Sequence, residues 1–367
     1  MPQIEIQLIA TVTAIACALP GAFLVLRRLS MLSDAISHAI LPGIVVAFFL
    51  TGNLNSPLLI LGAAATGVLT AALIETLSRT KRVREDAAIG LVFPVLFSIG
   101  VILIARYASG VHLDVDAVLL GELAFAPFDR IVLWNTDLGP KALWVMSTVL
   151  LLNLGFIAAF YKELKLSTFD PALAAALGFS PTVLHYLLMG LVSITAVGAF
   201  DAVGSILVVA LIVGPAATAY LLTDRLSIML AWSAGIGAAA ALTGYGVASL
   251  LDASIAGSMA TMVGVFFLVT VFVAPRQGII AAIMLRAAQR RGFAQQMLVV
   301  HLAHHEDTPE ERTECHPHHL QEHLRWDPEL ADLAIRSALR ERLVEKDEEI
   351  LRLTPRGREL AGRSLVG

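Results

Sequence analysis

Along the chain, apolar residues gather into runs too long and too uniform for the buried stripe of a soluble helix. Crossing a bilayer core takes about 20 apolar residues. Runs of that kind fall near 5–26, 30–51, 57–78, 87–105, 142–161, 183–200, 203–222, 226–250 and 258–274. The sixth and seventh are barely separated, because Asp201 and Gly204 supply only a minimal turn. Residues 111–126 are weakly apolar and carry Asp114, Asp116 and Glu122, which predicts an interfacial or re-entrant segment. After residue 275 the pattern changes. Residues 276–291 read as a basic amphipathic connector lying on a membrane surface, and 292–367 as a soluble, His-rich region. The chain therefore divides into 1–275, 276–291 and 292–367.

Composition sharpens this picture. Of 367 residues, 57% are apolar and 15% charged, with mean hydropathy +0.77. Soluble chains sit near ~45–50% apolar and ~25% charged, so an ordinary cytosolic enzyme, a disordered chain and a disulfide scaffold are excluded. An all-α polytopic membrane protein of about eight or nine spans remains. Residues 1–291 hold 16 Lys/Arg against 15 Asp/Glu, whereas 292–367 hold 10 against 15, with seven of the ten histidines. Cys17 and Cys315 lie in different environments and form no disulfide framework. The opening MPQIEIQ has no basic n-region, so no cleaved signal peptide is expected. Thirteen Lys/Arg of the first region fall on one side of the nine runs and three (Arg106, Arg130, Lys141) on the other. The positive-inside rule then predicts an N-terminus outside and a tail in the cytoplasm.

The segment SMLSDAISHAILPG (30–43) carries the most chemistry. Asp34 and His38 are four residues apart, one turn along a shared helix face. A carboxylate in hydrocarbon costs about 2.5–3.5 kcal/mol on insertion scales, so water, a partner or an ion must compensate it. Carboxylate oxygen with imidazole nitrogen suits manganese, iron or zinc. One helix offers two ligands; two copies would offer two Asp and two His. The plainer alternative is a pair that only hydrogen-bonds its neighbours. Residues 62–67 and 234–246 are small-residue faces suited to close helix packing. Gly214-Pro215 is expected to break a helix, as Pro94 and Pro42 could, with a simple kink a nearly equal alternative, and Asp201 fits a pathway or a wet turn equally. The P-loop pattern GxxxxGK[ST] and HExxH do not occur, which argues against ATP binding through a P-loop and against a zinc protease. Transport powered by another chain fits both.

Four blocks in order, GAFLVLRRLSMLSDAISHAILPGIVVAFFL (21–50), REDAAIGLVFPVLFSIGVILIA (84–105), FDPALAAALGFSP (169–181) and VGSILVVALIVGPAATAYLLT (203–223), resemble the zinc/manganese/iron permeases of bacterial ABC importers. The resemblance covers essentially residues 5–275. It implies an inner-membrane permease that pairs with a second permease, the same chain or a paralogue. Two cytoplasmic ATPases would bind ATP, and an extracytoplasmic protein would deliver the metal. No resident cofactor is implied; the transported ion would be manganese, zinc or iron, with a lean to manganese. It makes Asp34 and His38 the metal gate. It also makes the cytoplasmic block around Phe169, Asp170, Ala174 and Gly178 the coupling helix. Locally, 169–177 reads as a short helix with Asp170-Pro171 at its start and Gly178 at its end. Where the family often has a polar residue before the VG of VGSILVVA, this chain has Phe200-Asp201-Ala202. A siderophore or vitamin B12 type ABC permease and a membrane-tethered metal sensor are the alternatives.

Most permeases of this kind stop before the tail. Here His301, His304 and His305 follow helical spacing, and Cys315, His316, His318, His319 and His323 form a second cluster. Metal binding and a solvated polar surface are equally good readings. From residue 329 the order helix, hairpin (343–346 with 350–353) and helix capped at Thr354-Pro355 resembles the winged-helix domain of metal-dependent repressors. A small cytoplasmic α+β tail is expected, and its net charge of −5 disfavours DNA. Regulation, metal sensing, or contact with the ATPase or the partner permease are the expected roles.

Overall fold

The computed structural model describes residues 2–52, 56–107, 123–133, 136–275, 277–317, 319, 326–347 and 350–366. It separates into two compact units, Met1–Pro275 and Arg276–Gly367. Among the described residues, nine helical stretches are long and apolar enough to span a membrane: Gln3–Leu26, Ser30–Thr51, Leu58–Arg79, Asp86–Arg106, Lys141–Ala159, Pro181–Val203, Ser205–Leu222, Leu226–Leu251 and Ile255–Val273. Each coincides with one apolar run of the sequence.

The first unit is organised around α1 (Pro2–Leu26), the most buried span. It packs against α6 (Lys141–Ala159), α9 (Pro181–Val203), α10 (Ser205–Leu222) and α11 (Leu226–Leu251). Ala10, Ala14, Ala16, Ala18 and Ala22 are fully buried, and a side chain at Gly21 would collide with the backbone carbonyl of Ile212 on α10. Small residues here let backbones approach where the hydrophobic effect no longer drives helices together. The stretch 62–67 works the same way: Gly62 on α4 (Pro57–Arg79) faces Gly43 on α3 (Leu41–Thr51).

Pro20 lies inside α1 and has no N–H for the Ala16 carbonyl one turn back. The bundle supplies the missing donor: Asn153 Nδ2 on α6 donates to the Ala16 oxygen at 2.8 Å and to Thr195 Oγ1 on α9 at 3.0 Å. Asn153 is fully buried, so one amide joins three spans by correcting a proline defect.

The second apolar run is two helices, α2 (Ser30–Ala39) and α3, meeting at Ile40 with Pro42 near the start of α3. The other candidate breaks do not form. Pro94 lies within α5 (Glu85–Tyr107), and Pro215 lies within α10. A proline removes one donor, and the surrounding turns carry the helix across it. Between α9 and α10 the minimal turn is a single residue, Gly204, at φ 80° and ψ 162°. Backbone in that region suits glycine alone.

Most of the expected re-entrant segment, residues 108–122, lies outside the described residues. Beyond it, a 3-10 turn (Ala126–Phe128) leads into an antiparallel hairpin of β1 (Arg130–Leu133) and β2 (Thr136–Pro140) that hydropathy did not predict. Arg130 clamps it, bonding Asp137 at 2.6 Å and Glu5 of α1 at 3.0 Å. Connecting α6 to α9 are α7 (Tyr161–Phe169) and α8 (Pro171–Ala176). The first unit closes with α12 (Ile255–Val273).

In the second unit, α13 (Ile279–His305) runs unbroken through the basic stretch and into the first histidine cluster. There follow α14 (Glu311–Glu314), α15 (Pro328–Arg340), the hairpin of β3 (Val344–Asp347) and β4 (Ile350–Leu353), and α16 (Pro355–Val366). Val344 pairs with Leu353, and a core of Leu298, Leu302, Cys315, Leu343, Val344 and Leu351 holds the elements together. Thr354 Oγ1 accepts from Gly357 N–H at 3.2 Å, the expected cap of α16. Helices with one short hairpin are common to many small folds, so the winged-helix resemblance rests on element order alone.

Replacing Asn153 by Leu keeps the volume and removes both donations. The detergent-solubilised protein is expected to lose about 1–2 kcal/mol, the range for interhelical polar contacts in membranes, read as a lowered thermal midpoint. A Pro20→Ala background, which restores the helical donor for Ala16, should recover part of that loss.

Candidate functional site

On α2 the core-facing residues are Leu32, Ser33, Ala35, Ile36, Ser37 and Ala39. Asp34 and His38 occupy the other face. His38 Nε2 lies 3.5 Å from Asp34 Oδ1, with the side chains 29% and 45% exposed respectively. The imidazole stands between two rings of α5, with centroids 6.1 Å from Phe93 and 6.4 Å from Phe97. Pro42 lies four residues beyond His38 and has no N–H, so the His38 carbonyl lacks its usual helical donor. One turn thus presents a carboxylate and an imidazole, a donor pair for hard or borderline divalent cations. The set lies on the side wall of the bundle and is open to whatever covers that wall.

Asp201 is exposed in the last turn of α9, close to Gly204. A second ionisable group that sequence reading passed over lies elsewhere within the spans. Glu75 on α4 accepts from Tyr186 Oη at 2.8 Å and from Arg79 at 2.6 Å, with His185 Nε2 at 3.9 Å. The i,i+4 spacing of Glu75 and Arg79 was the available signal; the contribution of α9 was not visible in it.

At that end of the bundle Arg27, just past α1, does more than mark a charged loop. Its Nη2 donates to Ser167 Oγ at 3.0 Å and its Nε to Thr168 Oγ1 at 3.1 Å, both on α7. Burial pulls its pKa below the ordinary arginine value, although an arginine keeps its charge at any physiological pH. The next residues build the predicted short helix. Asp170 accepts from Leu173 N–H at 2.9 Å and caps α8, Pro171 fills its first turn, and Gly178 ends it at φ 87°. Phe169 belongs to the end of α7 and not to α8. Ala174 is fully buried, while Phe169, Leu173, Leu177 and Phe179 are exposed. A rigid turn therefore presents four large apolar side chains outward.

In the second unit, His301 and His305 of α13 come together with Glu314 of α14: one ligand atom from each lies within 4.8 Å of the others. His304 is exposed and edge-on to His305. His319 Nδ1 lies 3.4 Å from Glu314 Oε2. His316 is half-buried beside Cys315, and His318 and His323 lie outside the described residues. Cys315 sits in the apolar core. Burial, with Glu311, Glu314 and Glu306 nearby, pushes its thiol up to about 11, which disfavours the thiolate that ligates metals. The acidic member of this cluster, Glu314, was missed because carboxylates are abundant throughout the tail.

The ABC 3 transport family matches residues 4–274. The zinc transport system membrane protein TroD of Treponema pallidum is 47% identical over 357 residues, 97% of each chain, so that likeness runs through the tail. The manganese transport system membrane protein MntD of Bacillus subtilis is 48% identical over 278 residues, 75% of this chain and 94% of its own. Among solved structures, PsaBC from Streptococcus pneumoniae in complex with Fab aligns with TM-score 0.62 and 31% identity. That alignment covers 74% of this chain and 92% of the other.

Hydrogen bonds from a charged donor are worth about 1.5–3 kcal/mol. Arg27→Ala should therefore speed amide exchange across Tyr161–Phe169 at least about tenfold, with α1 itself unaffected. Unchanged protection of α7 would show that Arg27 does not hold it.

Proposed function

The chain belongs to the ABC 3 transport family, and from that premise we propose that it is the permease subunit of a bacterial importer for manganese and zinc. It is a multi-pass transport subunit and not an enzyme; ATP hydrolysis belongs to a separate chain of the system. What carries the proposal is the family match across residues 4–274, all nine spans included. The relatives described above are named for zinc and for manganese; iron, which the ligand chemistry alone admits, has no such support.

Asp34 and His38 are the ion-handling pair of this reading. Their position on the wall of a single bundle supports a second permease as the covering surface, because lipid there would leave a carboxylate uncompensated. The neighbouring α5 is the least buried span and exposes Leu91, Val95, Phe97 and Ile102, apolar surface suited to the same contact. Two facing copies would double the donor set to two Asp and two His. The ion would then be held between chains that move against each other, as alternating access requires.

The excess of Lys/Arg on the side of Arg27, Arg79 and Lys162 supports a cytoplasmic location for that end. The N-terminus would lie outside and the tail inside. On this orientation Asp170–Gly178 is the coupling element. The exposed Phe169, Leu173 and Leu177 of the coupling block 169–178, with Phe179 just past it, fit an apolar groove on a cytoplasmic ATPase, and Arg27 links α7 to α1. An extracytoplasmic binding protein would deliver the ion to the opposite face.

The test is uptake of radiolabelled manganese and zinc by cells that express the chain with its ATPase and binding protein. Asp34→Asn should lower uptake of the preferred ion at least about tenfold, about 1.4 kcal/mol of lost ion stabilisation, at an unchanged level of chain in the membrane. Normal uptake by the inserted variant would remove Asp34 from the path, and an assembled wild type that moves neither ion would overturn the substrate assignment. Leu177→Asp should separate coupling from the path. Its expected effect is reduced co-purification of the ATPase, with membrane insertion as in the wild type.

A further inference from the structure

We propose that the second unit binds one divalent transition-metal ion between His301, His305 and Glu314, and that zinc fits it best. The site is built by folding and is not an accident of composition. His301 and His305 lie one turn apart on α13, with ring centroids 4.7 Å apart. The chain then reverses through 306–310, and α14 returns Glu314 to them, so that one donor atom from each residue falls within 4.8 Å of the others. His301 and Glu314 are only 8% and 14% exposed. Zinc bonds of about 2.0–2.2 Å place tetrahedral donors ~3.4 Å apart. His301 Nε2 and Glu314 Oε2, at 3.9 Å, are already close to that spacing, and rotation of the side chains closes the rest.

The surroundings hold the donors in place. Leu298, Val299 and Leu302, on the same helix as the histidines, are core residues; His301 Nε2 lies 3.2 Å from the Glu314 backbone carbonyl, a contact that ligation through this nitrogen would replace. Arg358 grips Glu306 through contacts of 2.7 and 3.0 Å, which anchors the reversal. His319 Nδ1 approaches the Glu314 carboxylate at 3.4 Å, the outer-shell arrangement that orients a ligating carboxylate. Residues 306–314 contain five acidic side chains and one arginine, so the local field favours a cation. Of the five, Glu306 pairs with Arg358 and Glu311 with Arg352, and Glu314 lies beside His301 and His319. Two imidazoles and one carboxylate match zinc better than magnesium or calcium, which take oxygen.

The site lies in the other unit from Asp34 and His38, and binding there does not depend on transport. The experiment is calorimetric titration of zinc chloride into the purified full-length chain after chelator treatment, with the visible absorption of added cobalt(II) as a second readout. Wild type and Asp34→Asn are expected to share one tight equivalent per chain and the cobalt bands of a low-coordinate nitrogen-containing site. His301→Ala/His305→Ala should lose that equivalent, and Glu314→Gln, which preserves the shape, should abolish the cobalt bands. His304→Ala should bind like wild type, and His319→Ala about 10–100-fold more weakly. Thermal melts of each variant separate lost binding from lost folding. An unchanged tight equivalent in the folded His301→Ala/His305→Ala or Glu314→Gln variants would overturn the proposal. So would a wild type that binds no tight zinc, or loss of the site in His304→Ala.

Discussion

A bilayer core offers no water to a stray polar atom, so each such group in the apolar spans has to be compensated by protein, by an interface or by an ion. The fold can be followed through those compensations. Pro20 strips the Ala16 carbonyl of its helical donor, and Asn153 supplies another while tying α1 to α6 and α9. Glu75 is surrounded by Arg79, Tyr186 and His185 within one bundle. Among the described residues Asp34 is met by His38 at 3.5 Å, on a face turned away from the core. An internal charge fully met by neighbours is architecture. One met halfway, at an open wall, is where something else has to bind.

That distinction marks what was legible in the sequence. All nine spans were, because each needs a run of apolar residues whatever its neighbours are. Asp34 and His38 were visible because a spacing of four places both on one face with no knowledge of the rest. The cap at Asp170 and the stops at Gly178 and Gly204 were equally local. What failed was non-local. Pro94 and Pro215 were candidate helix breaks and neither breaks its helix, since whether a proline ends a helix depends on what packs around it. Arg27 read as a topology marker because its partners, Ser167 and Thr168, lie some 140 positions away. The hairpin from Arg130 was hidden for a similar reason: its clamp is half supplied by Glu5.

The tail shows the same division at smaller scale. Helix α13 spans the basic stretch and the first histidines without interruption, so the change in composition near residue 291 is a change of surface and not of element. Of the six described His and Cys side chains of the tail, the fold draws two histidines together with a glutamate, while it buries Cys315 among apolar side chains. Counting histidines indicates that a metal is chemically possible. Only the reversal between α13 and α14 selects which of them face one another.

The two donor sets also differ in the way their tasks would demand. An ion in transit must be released, and each ligand added to its site deepens the well it has to leave. Among the described residues of one chain the wall site offers Asp34 and His38, so its full strength would exist only while two chains face each other and would fall when they part. A site completed by an interface is therefore weakened by the motion that has to empty it. The cluster of His301, His305 and Glu314 draws all its donors from one compact unit, with core residues beneath and a bidentate Arg358–Glu306 bridge beside the turn. On the two proposals, donors preorganised within one unit would hold an ion, while donors divided between chains would pass it on.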